Sequence, residues 1–373
     1  MPFQHPSLFY RDLPLRYVRD PRLGHRLGRN YPDGVHVDET WGYKWLGTNA
    51  NGFYGQESAI EWGPPKPNTR RILLMGGSAA MGLGASRRGQ TIRDHLERLL
   101  REPGERQVEV INGAVGDYGS SQSLLYFVTE LIVLKPDIVV VIDGFNDACH
   151  SIWGTKYSSG EWLPNTSRSF DDNVEGVMTW DQSIPADAVR ALRRRRSSGA
   201  IRREKSRQLK SGRLYANSAS THGYVWDDPT LWSVKQSGIS WYLQNARTMA
   251  ALCAGLKISL LHVIQPATVW PSPNTHGVEE LEILGYFNER LPGLVSLLMD
   301  FYQALEPQYQ ALADSVSNSD VGTRGAIRFL DGTRMLVDRR RQLYFDAMHY
   351  NDEGQEAVAK FLAHELDSSG SIG

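Results

Sequence analysis

The chain has 373 residues, 41% of them hydrophobic, with 41 Lys and Arg against 42 Asp and Glu for a net charge of −1. That length holds one large α/β domain or two ordinary ones with a real core, and near-neutrality speaks against a dedicated nucleic-acid or membrane-surface protein. Two cysteines, Cys149 and Cys253, exclude a disulfide framework and stand in no zinc-ligand spacing. The first residues contain no continuous apolar stretch, and no segment approaches the ~20 apolar residues of a membrane span. The expectation is a soluble, cytoplasmic globular protein.

Residues 1–69 are dense in turn formers and aromatics: Tyr31-Pro32-Asp33-Gly34, Trp41, Trp45, Phe53, Tyr54, Trp62, then Pro64-Pro65-Lys66-Pro67. They read as an irregular or short-stranded extension packed on a main domain. From Arg70 the texture changes. Arg71–Met75 is a short apolar run stopped by Gly76-Gly77, as a buried parallel strand would be. Ile92, Leu96, Leu99 and Leu100 mark a helix, and Gln107–Ile111 a second strand. Leu124, Phe127, Val128 and Leu131 mark another helix, and Asp137–Ile142 a third, β-branched strand. The pattern lapses over about 149–239. It resumes with a helix at Trp241–Gly255, a strand at Ile258–Ile264, mostly helix over Val278–Val316, a strand at Ile327–Leu330, and a closing helix marked by Val358, Phe361, Leu362 and Leu366. Alternating helices and buried-type strands predict a parallel sheet covered on both faces.

In such sheets ligands bind beyond the carboxyl ends of the strands. Four segments bring Ser, Gly, Asn and an Asp/His pair there: Gly76-Gly77-Ser78, Asn112–Asp117, Asp143-Gly144-Phe145-Asn146-Asp147, and Asp346-Ala347-Met348-His349. These types suit acyl transfer. A serine hydroxyl exposed between strand and helix is a poor nucleophile until an imidazole accepts its proton. His349 can do so if Asp346 fixes its tautomer. The N–H groups of Ser78 and Gly116 and the Asn146 amide can hold an oxyanion. Asp147, His150 and Gln265 are candidates to line the substrate site. A phosphate loop is excluded because Leu83-Gly84 follows the glycine spacing where Lys-Ser/Thr is required. No HExxH occurs, so neither a metal nor another cofactor is expected.

The ordered set resembles the SGNH (GDSL) hydrolase family. Ser78 matches its block I nucleophile, Gly116 its block II glycine, and Asn146 its block III asparagine in a G-x-N-D pattern. Asp346 and His349 match the D-x-x-H of block V. Thr48-Asn49-Ala50-Asn51-Gly52-Phe53, Gln265-Pro266 and His349–Gly354 are similar to one bacterial branch. The resemblance covers roughly 70–148, 240–266 and 344–366, and departs where Gly77 stands in place of the name-giving Asp. It implies a three-layer α/β/α, flavodoxin-like domain over 70–373 with an insertion at about 149–239. It also implies a serine esterase with a Ser78–His349–Asp346 triad.

A compact site without a lipase-like lid favours short acyl esters of a glycan or small metabolite. An acyltransferase with the same triad is the alternative, followed by a non-catalytic binding protein on the same fold. Arg190–Arg213 holds eleven Lys/Arg against one acid, Glu204, leaving the rest of the chain at −11. It reads as a solvated excursion or as a dock for an anionic carrier. Without aromatic interleaving it gives no nucleic-acid site.

Overall fold

The computed structural model describes residues 17–20, 22–35, 44–101, 107–152, 229–270, 277–290, 293–317, 326–337 and 341–368. The basic stretch Arg190–Arg213 and most of the 149–239 insertion lie outside the described residues. The N-terminal part forms two antiparallel hairpins, β1 (Tyr17–Asp20) with β2 (Gly24–Leu27) and β3 (Asp33–Val35) with β4 (Lys44–Leu46). Asp20 Oδ1 turns the first by accepting the N–H groups of Arg22 (2.8 Å) and Leu23 (3.1 Å). Leu23, Leu27, Trp45, Leu46, Phe53 and Tyr54 are buried. The Thr48–Phe53 stretch is a turn tied by Asn49, whose Oδ1 accepts from Asn51 N–H (2.9 Å) and Phe53 N–H (3.0 Å). Its asparagines therefore shape backbone.

The main sheet follows. Strand β5 (Thr69–Gly76) leads through a single turn, α1 (Ser78–Met81), to α2 (Ile92–Leu99), and β6 (Gln107–Asn112) leads to α3 (Ser120–Thr129). Strand β7 (Ile138–Asp143) precedes α4 (Phe145–Ile152), while α5 (Pro229–Leu256) precedes β8 (Ser259–Ile264). Helices α6 (Val278–Arg290) and α7 (Leu294–Ser317), strand β9 (Ile327–Leu330) and α8 (Asp352–Ser368) complete the chain. All five strands pair in parallel in the order β6-β5-β7-β8-β9. Counted among themselves they run 2-1-3-4-5, the flavodoxin-like doubly wound order, whose switch point lies between β5 and β7. Helix α2 packs on α8, while α3, α4, α5 and α7 pack on one another, giving the two outer layers.

Ile72–Met75 and Ile138–Ile142 are almost wholly inaccessible, as continuous apolar runs in a doubly covered sheet must be. Helix α2 starts at a capping box between Thr91 and Asp94. The expected apolar stripe fails at Leu99, which is exposed, while His95 and Glu97 are buried on that helix instead. Val128 and Trp241 are likewise exposed. Cys149 and Cys253 are free and buried. Among the described residues no helix is long and apolar enough to cross a membrane, and no group of three His, Cys, Asp or Glu could hold a metal.

Candidate active site

Ser78 opens α1 directly after β5. Asp346 and His349 sit on a short loop closed by a bridge between Tyr344 and Tyr350 and by Phe345 N–H donating to His349 O at 2.8 Å. The loop delivers the imidazole to the serine: Ser78 Oγ and His349 Nε2 are 2.6 Å apart. On its other side His349 Nδ1 lies 2.6 Å from Asp346 Oδ2. Asp346 Oδ1 accepts two backbone N–H groups, from Met348 at 2.9 Å and His349 at 2.8 Å. Burial alone pushes the Asp346 carboxyl up. The His349 charge, its ring N–H and those two amides outweigh that, and hold it below its ordinary value. An ionised carboxylate only accepts, so the His349 proton belongs on Nδ1 and the Nε2 lone pair faces the hydroxyl. That is the tautomer a general base requires.

The sequence leads one to expect an exposed serine, but Ser78 is only 5% exposed, and His349 3%. All four residues of α1 are buried, and the chain just after it runs against the His349 loop: Leu83 O accepts from Gln355 Nε2, which also bonds Tyr350 O.

The oxyanion candidates Ser78, Gly116 and Asn146 follow β5, β6 and β7 in turn. Asn146 Nδ2 donates to Tyr118 O at 2.9 Å. It also lies where a Cβ on residue 77 would come within 2.5 Å of it. A side chain at residue 77 would therefore require the Asn146 amide to shift. Gly116 is crowded in the same way, since a Cβ there would meet the Tyr17 hydroxyl at 2.1 Å. Its carbonyl accepts from His25 Nε2 at 2.9 Å.

The residues expected to line a substrate site are held by the protein itself. Asp147 accepts from Ser120 N–H (3.1 Å to both oxygens) and Ser120 Oγ (2.6 Å), anchoring the start of α3. Gln265 Nε2 donates to Met348 O at 3.2 Å, bracing the Asp346–His349 loop. His150 is buried with Nε2 3.4 Å from Asp117 Oδ1. Asp147 and His150 do line a shallow cleft with Gly119, Ser121, Ser151 and Trp241. Behind them Asp143 is buried with Oδ2 unpartnered. Burial, then the nearby Asp147 charge, pushes its pKa well up against the opposing Ser123 hydroxyl. His262 is a core histidine: burial pushes it down to about 3, and it bonds Tyr309.

Three residues of this architecture escape a reading of the sequence. Glu280, fully buried on α6, accepts from Leu343 N–H (3.0 Å) and Tyr344 N–H (3.4 Å) and so fixes the base of the Asp346–His349 loop. The other two are Tyr17 and His25, on a segment read only as packing.

No protein-family model matches the chain, and no curated protein matches it. Solved structures overlap it partially. A GDSL-like lipase from Bacteroides thetaiotaomicron shares 15% identity over 82% of this chain and 91% of its own, with a TM-score of 0.39. A catalytic mutant of an acetylxylan esterase from Geobacillus stearothermophilus shares 12% over 84% and 97%, with a TM-score of 0.38. A lipase from a goat rumen metagenome shares 12% over 79% and 96%, with a TM-score of 0.40. With overlap this loose, what the site can do is read from its own atoms.

Proposed function

We propose that this chain is a serine-dependent carboxylester hydrolase working through an acyl-enzyme on short, acetyl-type esters of a glycan or small metabolite. The continuous line Ser78–His349–Asp346, with 2.6 Å at each junction, carries the reading. Ser78 Oγ attacks the ester carbonyl carbon while His349 Nε2 takes the hydroxyl proton and Asp346 steadies the imidazolium. The charge gathering on the carbonyl oxygen is met by the Ser78 and Gly116 N–H groups and by the second Asn146 amide proton, the first being spent on Tyr118 O. His349 returns its proton to the leaving alcohol. It then deprotonates the water that cleaves the acyl-enzyme and regenerates Ser78.

The burial of Ser78 supports a small acyl group, because a long chain needs an open apolar channel beside the nucleophile. An acyltransferase would share each step as far as the acyl-enzyme, with an acceptor alcohol in place of water. Arg190–Arg213 favours that second reading as a dock for an anionic, carrier-bound donor.

Fluorophosphonate labelling of the wild type beside Ser78→Ala tests the proposal, followed by a panel of p-nitrophenyl esters of increasing chain length. Labelling lost in Ser78→Ala and rates falling beyond short acyl chains are expected. A wild type inert to the probe, or labelling that persists in Ser78→Ala, overturns the reading. Product analysis with added alcohols separates hydrolysis from transfer.

A further inference from the structure

Gly116 is held from outside the sheet domain. Tyr118 N–H donates to Val115 O at 3.2 Å, so Gly116 and Asp117 are the central pair of a β-turn. Asp117 has φ +66°, the left-handed value that position takes in a type II turn and that Gly or Asn normally supplies. Types I and II differ by a flip of about 180° in the middle peptide, the one carrying the Gly116 carbonyl. In this protein that carbonyl is taken by the ring N–H of His25, at 2.9 Å.

The hold is reciprocal. Tyr118 Oη donates to His25 O at 2.6 Å, and Gln122 Nε2 to Leu23 O at 3.0 Å. The His25 ring stands edge-on to Tyr17, 5.1 Å between centroids, and tilted against Tyr118 at 5.2 Å. On the remaining side of Gly116 the Tyr17 hydroxyl fills the space a Cβ would need. The β1–β2 hairpin thus grips both the carbonyl and the α-carbon of one glycine. The flip itself turns ψ of Gly116 and φ of Asp117; the Gly116 N–H belongs to the preceding peptide but hangs from the same α-carbon, so holding that carbon and its carbonyl together fixes where the donor sits.

We propose that His25 is a positioning residue for Gly116, and that the N-terminal hairpin is thereby a working part of the active site. This rests on the reading above, in which Gly116 N–H stabilises the oxyanion. A side chain that holds an oxyanion donor in place affects the transition state more than ground-state binding, so its loss falls on kcat.

The test is steady-state hydrolysis of p-nitrophenyl acetate, with fluorophosphonate labelling rates and thermal melts. The variants are His25→Leu, His25→Gln and Tyr118→Phe, with Ser78→Ala and Asn146→Ala as controls. His25→Leu is expected to lower kcat about tenfold or more while KM stays within about twofold. In His25→Gln an amide N–H replaces the ring N–H, and it is expected to recover most of the rate. Tyr118→Phe only loosens His25, and a severalfold fall in kcat at constant KM is expected; this variant decides the matter should His25→Leu fail to melt cooperatively. A kcat for His25→Leu or Tyr118→Phe within about twofold of wild type, or His25→Gln as impaired as His25→Leu, overturns the proposal. If Ser78→Ala keeps its activity, the esterase reading itself has failed. If both controls are inactive and the His25 variants are not, only the positioning role has.

Discussion

Asp346→Asn isolates the step on which the chemistry depends, because it changes a proton and almost nothing else. Asp346 Oδ1 accepts from two backbone N–H groups at 2.8 and 2.9 Å, so an asparagine there must turn its carbonyl oxygen toward them. Its NH2 then occupies the Oδ2 place, 2.6 Å from His349 Nδ1. A donor facing Nδ1 forces the imidazole proton onto Nε2, where it points at Ser78 Oγ and can no longer accept from it. Reversal of this tautomer costs about 10⁴ in kcat in an analogous triad, or roughly 5 kcal/mol at 1.36 kcal/mol per decade. Both backbone bonds survive, but the variant loses the carboxylate's contribution, which is complete near neutral pH, so its Tm there should fall modestly while its fold holds. The difference closes in acid: a carboxyl held below its ordinary 3.8 contributes stability that is complete above that value and lost as pH falls through the lower folded value. The variant lacks that loss. The assay is kcat on p-nitrophenyl acetate near pH 7.5, with thermal melts from acid to neutral pH. A fall in kcat smaller than about thirtyfold, with an intact melt, would refute control of the His349 tautomer by Asp346.

Asn146→Ala should lower kcat by about 10²–10³ with a cooperative melt retained, and a loss of tenfold or less removes the amide from the oxyanion hole. Gly77→Asp places a Cβ 2.5 Å from Asn146 Nδ2 and 3.0 Å from Tyr118 O. It should therefore cost activity on a scale approaching Asn146→Ala, and full activity in this variant would show that the amide position is immaterial. Asp143 has a raised folded pKa, so its contribution is complete below its unfolded value and lost as pH rises through the folded one. Asp143→Asn should accordingly gain in Tm relative to wild type as pH is raised from about 5 to 9; a Tm difference that does not grow with pH contradicts a raised Asp143 pKa.

The strands were legible because burial on both faces leaves a simple trace: Ile138–Ile142 is apolar throughout and stops at a carboxylate and a glycine. Helix starts were less so. Helix α3 begins at Ser120, four residues before its apolar spacing, because its first turn is Ser-Ser-Gln-Ser, buried through hydrogen bonds to Asp147, Asn245 and Leu23. Polarity there reports partners, and a periodicity argument reads it as solvent. Helix α5 begins at Pro229, twelve residues before Trp241; proline at the first helical position was the available signal. The helical stretch Val278–Val316 divides near Gly293, which has φ +86°, just after Pro292.

The site divides along the same physical line. Asp346 and His349 were legible because three residues of local spacing carry both members of a pair, and Ser78 because a strand end and a glycine pair announce it. Glu280 and His25 were not, since each bonds backbone, 63 and 91 residues away in the chain. A backbone amide or carbonyl has no side-chain identity, so such a bond leaves no complementary residue to look for. Gly77 shows the reverse case. Read along the chain, it is a lost carboxylate; in space it is the clearance that Asn146 requires, as Gly116 is the clearance that Tyr17 requires. Both glycines are thus shaped by residues from other segments, and substituting either should first displace the side chain that occupies its missing Cβ. That ordering makes a double substitution informative: Tyr17→Phe, which removes the atom 2.1 Å from the position of a Cβ on residue 116, should relieve part of the damage done by Gly116→Ala, and purely additive losses in kcat would mean that the two positions do not meet.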